Sequence, residues 1–370
     1  MTKPRNSARE IAADVAAGRT TAVETAKAAL GRIEAAKALN AVVAVNSART
    51  LADAAAVDAR LRAGETMPLA GVPIVVKDNI WVGGWRVTQG SRLFANFIAP
   101  QDAIAIERLR SAGAVIVGIG ATSEFACKGV TTSQLYGPTR HPLDPALTPG
   151  GSSGGPAVAV AAGLVPLAIG TDAGGSSRRP PAHVGVAGFK PSYGAIPYGP
   201  GFAEPFYGLS VIAPIAAEVA DITLAFEAMA GLDGRDPDSA VVAQQAKDTA
   251  GQRIAFSPRL GLDVAIDDVV ANGLASAVDG FPRQVCASRN AIPSGRQTPR
   301  RTPSCRFSMR VWRRSMVTPS ARIRLSSIPM SPSRSSEVSP GRVRKLPERC
   351  SRAPRSPMPS RLSSPRLTCC

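Results

Sequence analysis

Residues 1–282 of this chain read as one α/β domain, a mixed β-sheet core flanked by helices, and two observations lead there. The first is an alanine-rich opening, residues 7–64, whose apolar positions recur at helical spacing. The second is a change of texture at Met67, beyond which short β-rich runs alternate with helical segments. Such alternation is the mark of layered α/β domains. This length leaves ample chain for a sizeable core.

The elements follow in order. Ile11, Val15, Val23, Ala26, Leu30 and Ile33 mark two or three helices, with breaks at Gly18 and around Asn40. Strands are predicted over Val72–Ile80, Ala114–Ile119 and Leu164–Ile169, and helices over Ala103–Ala112 and Pro156–Ala162. A loop rich in Gly, Pro and Tyr runs to about Phe206, and a helix covers about Ala216–Gly231. A polar stretch, a short strand at Arg253–Ser257 and a helix near Ile266–Val278 complete the pattern.

Charge divides the chain sharply. Residues 283–370 hold 19 Arg, one Lys and two acids, a net +18, while residues 1–282 carry about −1. The tail also holds 18 Ser, 12 Pro and five of the six cysteines, and periodicity disappears beyond about Phe281. A lone Cys127 in the body is no disulfide framework, which points to a reducing, cytoplasmic setting. The N-terminus lacks the apolar core of a signal peptide, and no run approaches the roughly 18 apolar residues of a membrane span. The basic tail raises nucleic-acid binding as a different class of function, but it contains no recognisable recognition module.

Three contexts carry the chemistry: Gly71-Val-Pro-Ile-Val-Val-Lys77-Asp-Asn79, Gly150-Gly-Ser-Ser-Gly-Gly155 and Gly170-Thr-Asp-Ala-Gly-Gly-Ser176. Amide hydrolysis needs a nucleophile, a base for its proton, an acid for the leaving amine and donors for the oxyanion. Ser176 fits the nucleophile, because the preceding glycines let successive N–H groups converge unobstructed. The N–H groups of Ala173, Gly174, Gly175 and Ser176 then form the oxyanion hole. Lys77 fits the base: it ends an apolar run that can desolvate its amine and lower its pKa. Ser152 bridges the two, passing the proton from Ser176 to Lys77.

These blocks, with Ala157–Leu167 and Gly185–Pro191, closely resemble the amidase signature family over roughly residues 7–280. The resemblance implies that family's fold, incomplete here at its C-terminal end. It also implies a catalytic set of Lys77, Ser152 on a cis peptide and Ser176, supported by Ser153, Thr171, Asp172 and Arg178. It implies no cofactor and no metal, and a small amide as substrate. Two assemblies stay open: a homodimer, or the glutaminase-type A subunit of a tRNA-dependent amidotransferase with its partner subunits. Ser177 and Arg179 stand where the family has apolar residues, and Ala182-His183-Val184 replaces a cysteine region, which leaves the substrate class open. The pocket is expected around Phe125–Thr132 and Tyr193–Tyr207, with the site on loops at one edge of the sheet.

Rival chemistries are weaker. Gly150–Gly154 also fits a G-x-S-x-G nucleophile elbow, but His183 follows Ser152 by only 31 residues, too close for the usual order. The glycine-rich loop before a helix could bind an anion, and Glu124, Cys127 and Lys128 hint at a cysteine-based amide or nitrile hydrolase. Two distant histidines, His141 and His183, and one body cysteine assemble no metal site. Residues 283–370 are expected to be disordered and frameshifted, since GC-rich coding DNA read out of frame favours Arg, Ser and Pro. On that expectation the chain is a truncated amidase that could be catalytically dead.

Overall fold

The computed structural model describes residues 7–204, 206–242, 254–280 and 287–289. The chain splits into two compact units, Met1–Ile254 with Ala277–Ala287, and Ala255–Ser276 with Ser288–Cys370. The sheet, the helices packed on it and the site all belong to the first.

Helices α1 (Ala8–Ala16) and α2 (Ala22–Ala35) each open on a reciprocal capping box, Ser7 with Glu10 and Thr21 with Glu24. Each such cap stabilises its helix by about 1 kcal/mol. Strand β1 (Val42–Ala44) leads into helix α3 (Ser47–Arg62), whose Asp58 accepts the Ala22 and Val23 N–H groups at 2.7 and 3.2 Å. A carboxylate at a helix N-terminus meets the positive end of the dipole, so this contact fixes α2 against α3. Asp221, buried near the start of a later helix over Val219–Met229, does the same for α1 through Ala8 and Arg9.

Strand β2 (Pro73–Lys77), helix α4 (Ile104–Ser111) and strand β3 (Val115–Gly120) come next. A small ladder of β4 (Thr132–Ser133) and β5 (Gly137–Pro138) precedes helix α5 (Gly154–Ala161) and strand β6 (Leu167–Asp172). Helix α6 (Arg179–Val184), strands β7 (Ala187–Gly188) and β8 (Val211–Ala216), and helix α7 (Val219–Met229) complete this run. Six strands form one sheet in the order β1-β3-β2-β6-β8-β7. The central pairs β3–β2 and β2–β6 are parallel and the outer pairs antiparallel, so the sheet is mixed.

Every residue of β2, β3, β6 and β8 is buried, and those runs are nearly all apolar. That is the composition of strands covered on both faces. Helix α5 is apolar all round for the same reason, with Gly154 to Val160 buried.

Several sequence expectations shift. Strand β6 lies three residues further along than predicted at both ends, its start displaced because the Leu164 and Val165 N–H groups close the end of α5 on the Ala159 carbonyl. Helix α5 begins at Gly154, two residues before Pro156, and α7 begins at Val219 because Ala216 belongs to β8. Strand β8 and helix α6 were not predicted. Strand β9 (Ile254–Phe256) and helix α8 (Asp268–Asp279) stand near their expected places. The boundary expected at 282 and the tail from 283 lie outside the described residues, apart from strand β10 (Ala287–Arg289). Among the described residues no helix is long and apolar enough to cross a membrane.

Candidate active site

Lys77 is the last residue of β2, and Thr171 and Asp172 end the neighbouring parallel strand β6. Parallel pairing brings both C-terminal ends to the same side, so the site forms where these two central strands end, on the C-terminal edge of the sheet.

Loop 150–153 delivers Ser152 and Ser153 to this point just before α5. The Gly151–Ser152 peptide is cis, and a Cβ on Gly151 would lie 2.6 Å from the Val130 carbonyl carbon. Thr131 stitches the loop: its hydroxyl donates to the Gly150 carbonyl and accepts the Gly154 N–H, both at 2.9 Å. Ser153 ties the loop to β6, donating to the Thr171 carbonyl at 3.2 Å.

The Lys77 amine is fully buried and donates to Ser152 Oγ and Thr171 Oγ1, each at 2.8 Å, and more weakly to the Thr171 carbonyl at 3.4 Å. Burial lowers its pKa from the ordinary lysine value to about 7, against the opposing attraction of Asp172. Asn79 Nδ2 supports the same cluster by donating to Thr171 Oγ1 at 3.0 Å.

Asp172 organises the turn that carries Ser176. Its carboxylate accepts the Gly175 N–H at 2.7 Å, the Ser177 N–H at 3.0 Å, the Ser177 hydroxyl at 2.9 Å, and Arg178 through Nε and Nη2 at 2.9 and 3.0 Å. Burial works against its ionisation, but the Arg178 guanidinium and these donors outweigh it and hold the carboxyl well below the usual range. A neighbouring carboxyl, Asp78, is pushed up to about 6 by burial, although Thr88 and the Gly90 N–H hold its charged form.

Two expected contacts are absent among the described residues. Lys77 reaches Ser152, but no hydrogen bond joins Ser152 to Ser176; the two serines meet only as walls of one cavity. The Gly175 N–H is committed to Asp172, so of the four donors expected for the oxyanion only Ala173, Gly174 and Ser176 stay uncommitted among the described residues. Those three residues line the cavity, and their N–H groups have no backbone acceptor among the described residues.

That cavity measures about 320 Å³. Its walls include Phe125–Lys128 and Tyr198, Phe202 and Phe206, within the two segments expected from the sequence. Of the two departures beside Ser176, only Arg179 reaches it, since the Ser177 hydroxyl is spent on Asp172. Neither histidine does. His141 anchors a turn through the Leu143 N–H, and its Nε2 pairs with the His183 carbonyl. Cys127 is exposed at the wall with its thiol donating to the Glu124 backbone carbonyl, while the Glu124 carboxylate accepts from Ser91. Among the described residues no group of three His, Cys, Asp or Glu could hold a metal ion.

Asn79, Asp78 and Thr131 were missed as site residues. The first two sit in the quoted Lys77 segment, so their polar side chains after an apolar strand were the available signal.

The family model described as Amidase matches residues 24–280. The glutamyl-tRNA(Gln) amidotransferase A subunit of Deinococcus radiodurans is 49% identical over 234 residues, covering 63% of this chain and 48% of the relative. That of Cupriavidus necator is 45% identical over 257 residues, covering 69% and 51%. The chain thus spans about half the length of the curated relatives it matches. Among solved structures, the peptide amidase of Stenotrophomonas maltophilia superposes with a TM-score of 0.67 at 30% identity, covering 77% of this chain and 62% of the other. A bacterial aryl acylamidase of the amidase signature family gives 0.69 at 29%, covering 78% and 62%. With the sheet, the Lys77–Ser152 contact and a family match over most of its length, the chain belongs to the amidase family.

Proposed function

We propose that this chain carries the catalytic half-site of a serine amidase that hydrolyses a small carboxylic amide through an acyl-enzyme on Ser176. The observation that carries the reading is Lys77, fully buried with its pKa near 7, hydrogen-bonded to Ser152 in the cavity that Ser176 lines. A lysine so placed is neutral in a large fraction of molecules near neutral pH and can accept a proton.

The Ser176 hydroxyl turns onto Ser152 as the substrate carbonyl arrives, and its proton passes to Ser152 while the Ser152 proton passes to Lys77. Ser176 Oγ bonds to the carbonyl carbon, and the oxyanion takes N–H donation from Ala173, Gly174 and Ser176. The C–N bond then breaks, and the proton returns through Ser152 to the departing ammonia or amine. Water repeats the sequence on the ester, releasing the acid and freeing Ser176. Ser153, Thr171, Asp172 and Arg178 hold this geometry.

A second reading is favoured by the curated relatives: a glutaminase-type A subunit that releases ammonia to partner subunits. It uses the same three residues. We place the protein in the cytoplasm, on its single body cysteine, and assign residues 1–282 to the amidase domain with an aberrant segment beyond it.

Ammonia release from simple amides and from glutamine tests both readings. Ser176→Ala should lower turnover by roughly 10³-fold or more. Ser176-dependent release from simple amides supports the first reading, and release from glutamine alone the second. Undiminished turnover without Ser176 overturns both.

A further inference from the structure

Two consecutive arginines follow Ser176, and they differ in their partners. Arg178 is engaged by the Asp172 carboxylate through both Nε and Nη2. Arg179 is exposed and lines the cavity that holds Ser152 and Ser176, and no ion pair or side-chain hydrogen bond to a described residue occupies its guanidinium. Glycines on two loops make room for it. A methyl group added at Gly129 would lie 3.0 Å from Arg179 Nη1, and one at Gly175 would lie 3.9 Å from Nε. The side chain therefore passes between the 125–130 loop and the Ser176 turn, with its fork against Gly129 in the wall of the cavity.

Lys128, on the 125–130 loop, is a second cation in the cavity wall whose amine pairs with no described residue. No Asp or Glu is among the residues lining the cavity. The carboxylate nearest Arg179 in sequence, Asp172, is fully buried and saturated by Arg178, Gly175 and Ser177. The wall thus carries two positive charges that form no ion pair with a described residue, the nearby Glu124 carboxylate accepting from Ser91 and the Glu204 carboxylate from the Phe206 and Gly208 N–H groups. An arginine fork matches the planar geometry of a carboxylate with two parallel hydrogen bonds. Phe125, Phe202 and Phe206 supply apolar surface for a short hydrocarbon linker between that carboxylate and the amide.

From this arrangement we infer that Arg179, assisted by Lys128, is a specificity-determining residue that selects amides carrying a carboxylate a few bonds from the scissile carbonyl. The inference rests on the amide-binding reading of the cavity and adds the substrate class. It gives Arg179 a role that an apolar residue at this position could not fill.

The test measures binding, so it does not depend on turnover. Succinamate and butanamide share a four-carbon chain and differ only in whether the far end is a carboxylate or a methyl group. Calorimetric titration of each into the full chain carrying Ser176→Ala should show succinamate binding at least about tenfold tighter, the scale of a charge-assisted pair. Adding Arg179→Gln should remove that preference by weakening succinamate alone, while Arg179→Lys, which keeps charge but loses the fork, should retain part of it. The preference should also fall as salt rises. Equal binding of the two amides, binding of neither at millimolar concentration, or an equal loss for both on Arg179→Gln would overturn the inference. Hydrolysis of succinamate, the preferred amide, by the chain with Ser176 intact is read separately. Its absence beside a clear binding preference would count against the hydrolytic reading and leave the selectivity standing.

Discussion

Lys77 is costly where it sits, because a fully buried amine resists protonation and the surrounding apolar strand offers it no solvent. Its pKa of about 7, against an ordinary 10.5, fixes the sign of two pH effects. Catalysis needs the neutral amine, so kcat/KM should rise about tenfold per pH unit below 7 and level off above it. Stability follows the proton count. Between pH 7 and 10.5 the unfolded chain holds a proton on this residue that the folded chain does not, so this contribution to stability rises with pH across that window. Below pH 7 the folded chain must carry a buried ammonium. Lys77→Met should therefore abolish activity while raising stability by on the order of 1 kcal/mol at pH 6, with the gain shrinking toward pH 10. Thermal melts of both proteins across that range check it, and a destabilised Lys77→Met at pH 6 would show that the hydrogen bonds to Ser152 and Thr171 outweigh desolvation.

At the level of elements, close backbone approach holds the site together. A Cβ on Gly155 would lie 2.2 Å from the Ala121 nitrogen and 2.5 Å from the Ala41 carbonyl oxygen, both backbone atoms that cannot rotate away. Gly155→Ala should push the start of α5 off the end of β3 and cost about 3 kcal/mol or more, carrying Ser152 with it. Gly31, exposed within α2 with nothing within 4 Å, is the control: Gly31→Ala should stabilise by about 0.5–1 kcal/mol. Denaturant midpoints of the two variants separate crowding from helix propensity. The same scale shows what was legible. Helices α1 to α4 and strands β2 and β3 follow from apolar spacing, and Lys77, Ser152 and Ser176 stood out through their glycines. Strand β8 did not, because Pro214 argues against a central strand. The Pro214 carbonyl accepts the Phe189 N–H on the β7 side, so its missing N–H faces that way and leaves the β6 ladder intact. The Gly175 N–H looked available only because nothing local in sequence announces that Asp172 turns back onto it.

For the whole molecule, two boundaries fall together. The family match stops at residue 280, and from 283 onward the net charge is +18 against about −1 before it. One sets the end of a recognisable pattern and the other a change of composition, and neither depends on the other. A basic arm for nucleic acid accounts for the charge but not for the loss of apolar periodicity at the same place. We propose that the reading frame changes near codon 281, which accounts for both, since Arg, Ser and Pro are favoured when GC-rich coding DNA is read out of register. Translating the gene in its other two frames beyond that codon is the check. One frame should resume alternating strands and helices and align with the second half of the amidotransferase relatives that match residues before it. The chain restored in that frame should melt higher than the present one and hydrolyse amides faster. If neither frame carries such a pattern, the basic segment is native to the protein and the proposal fails.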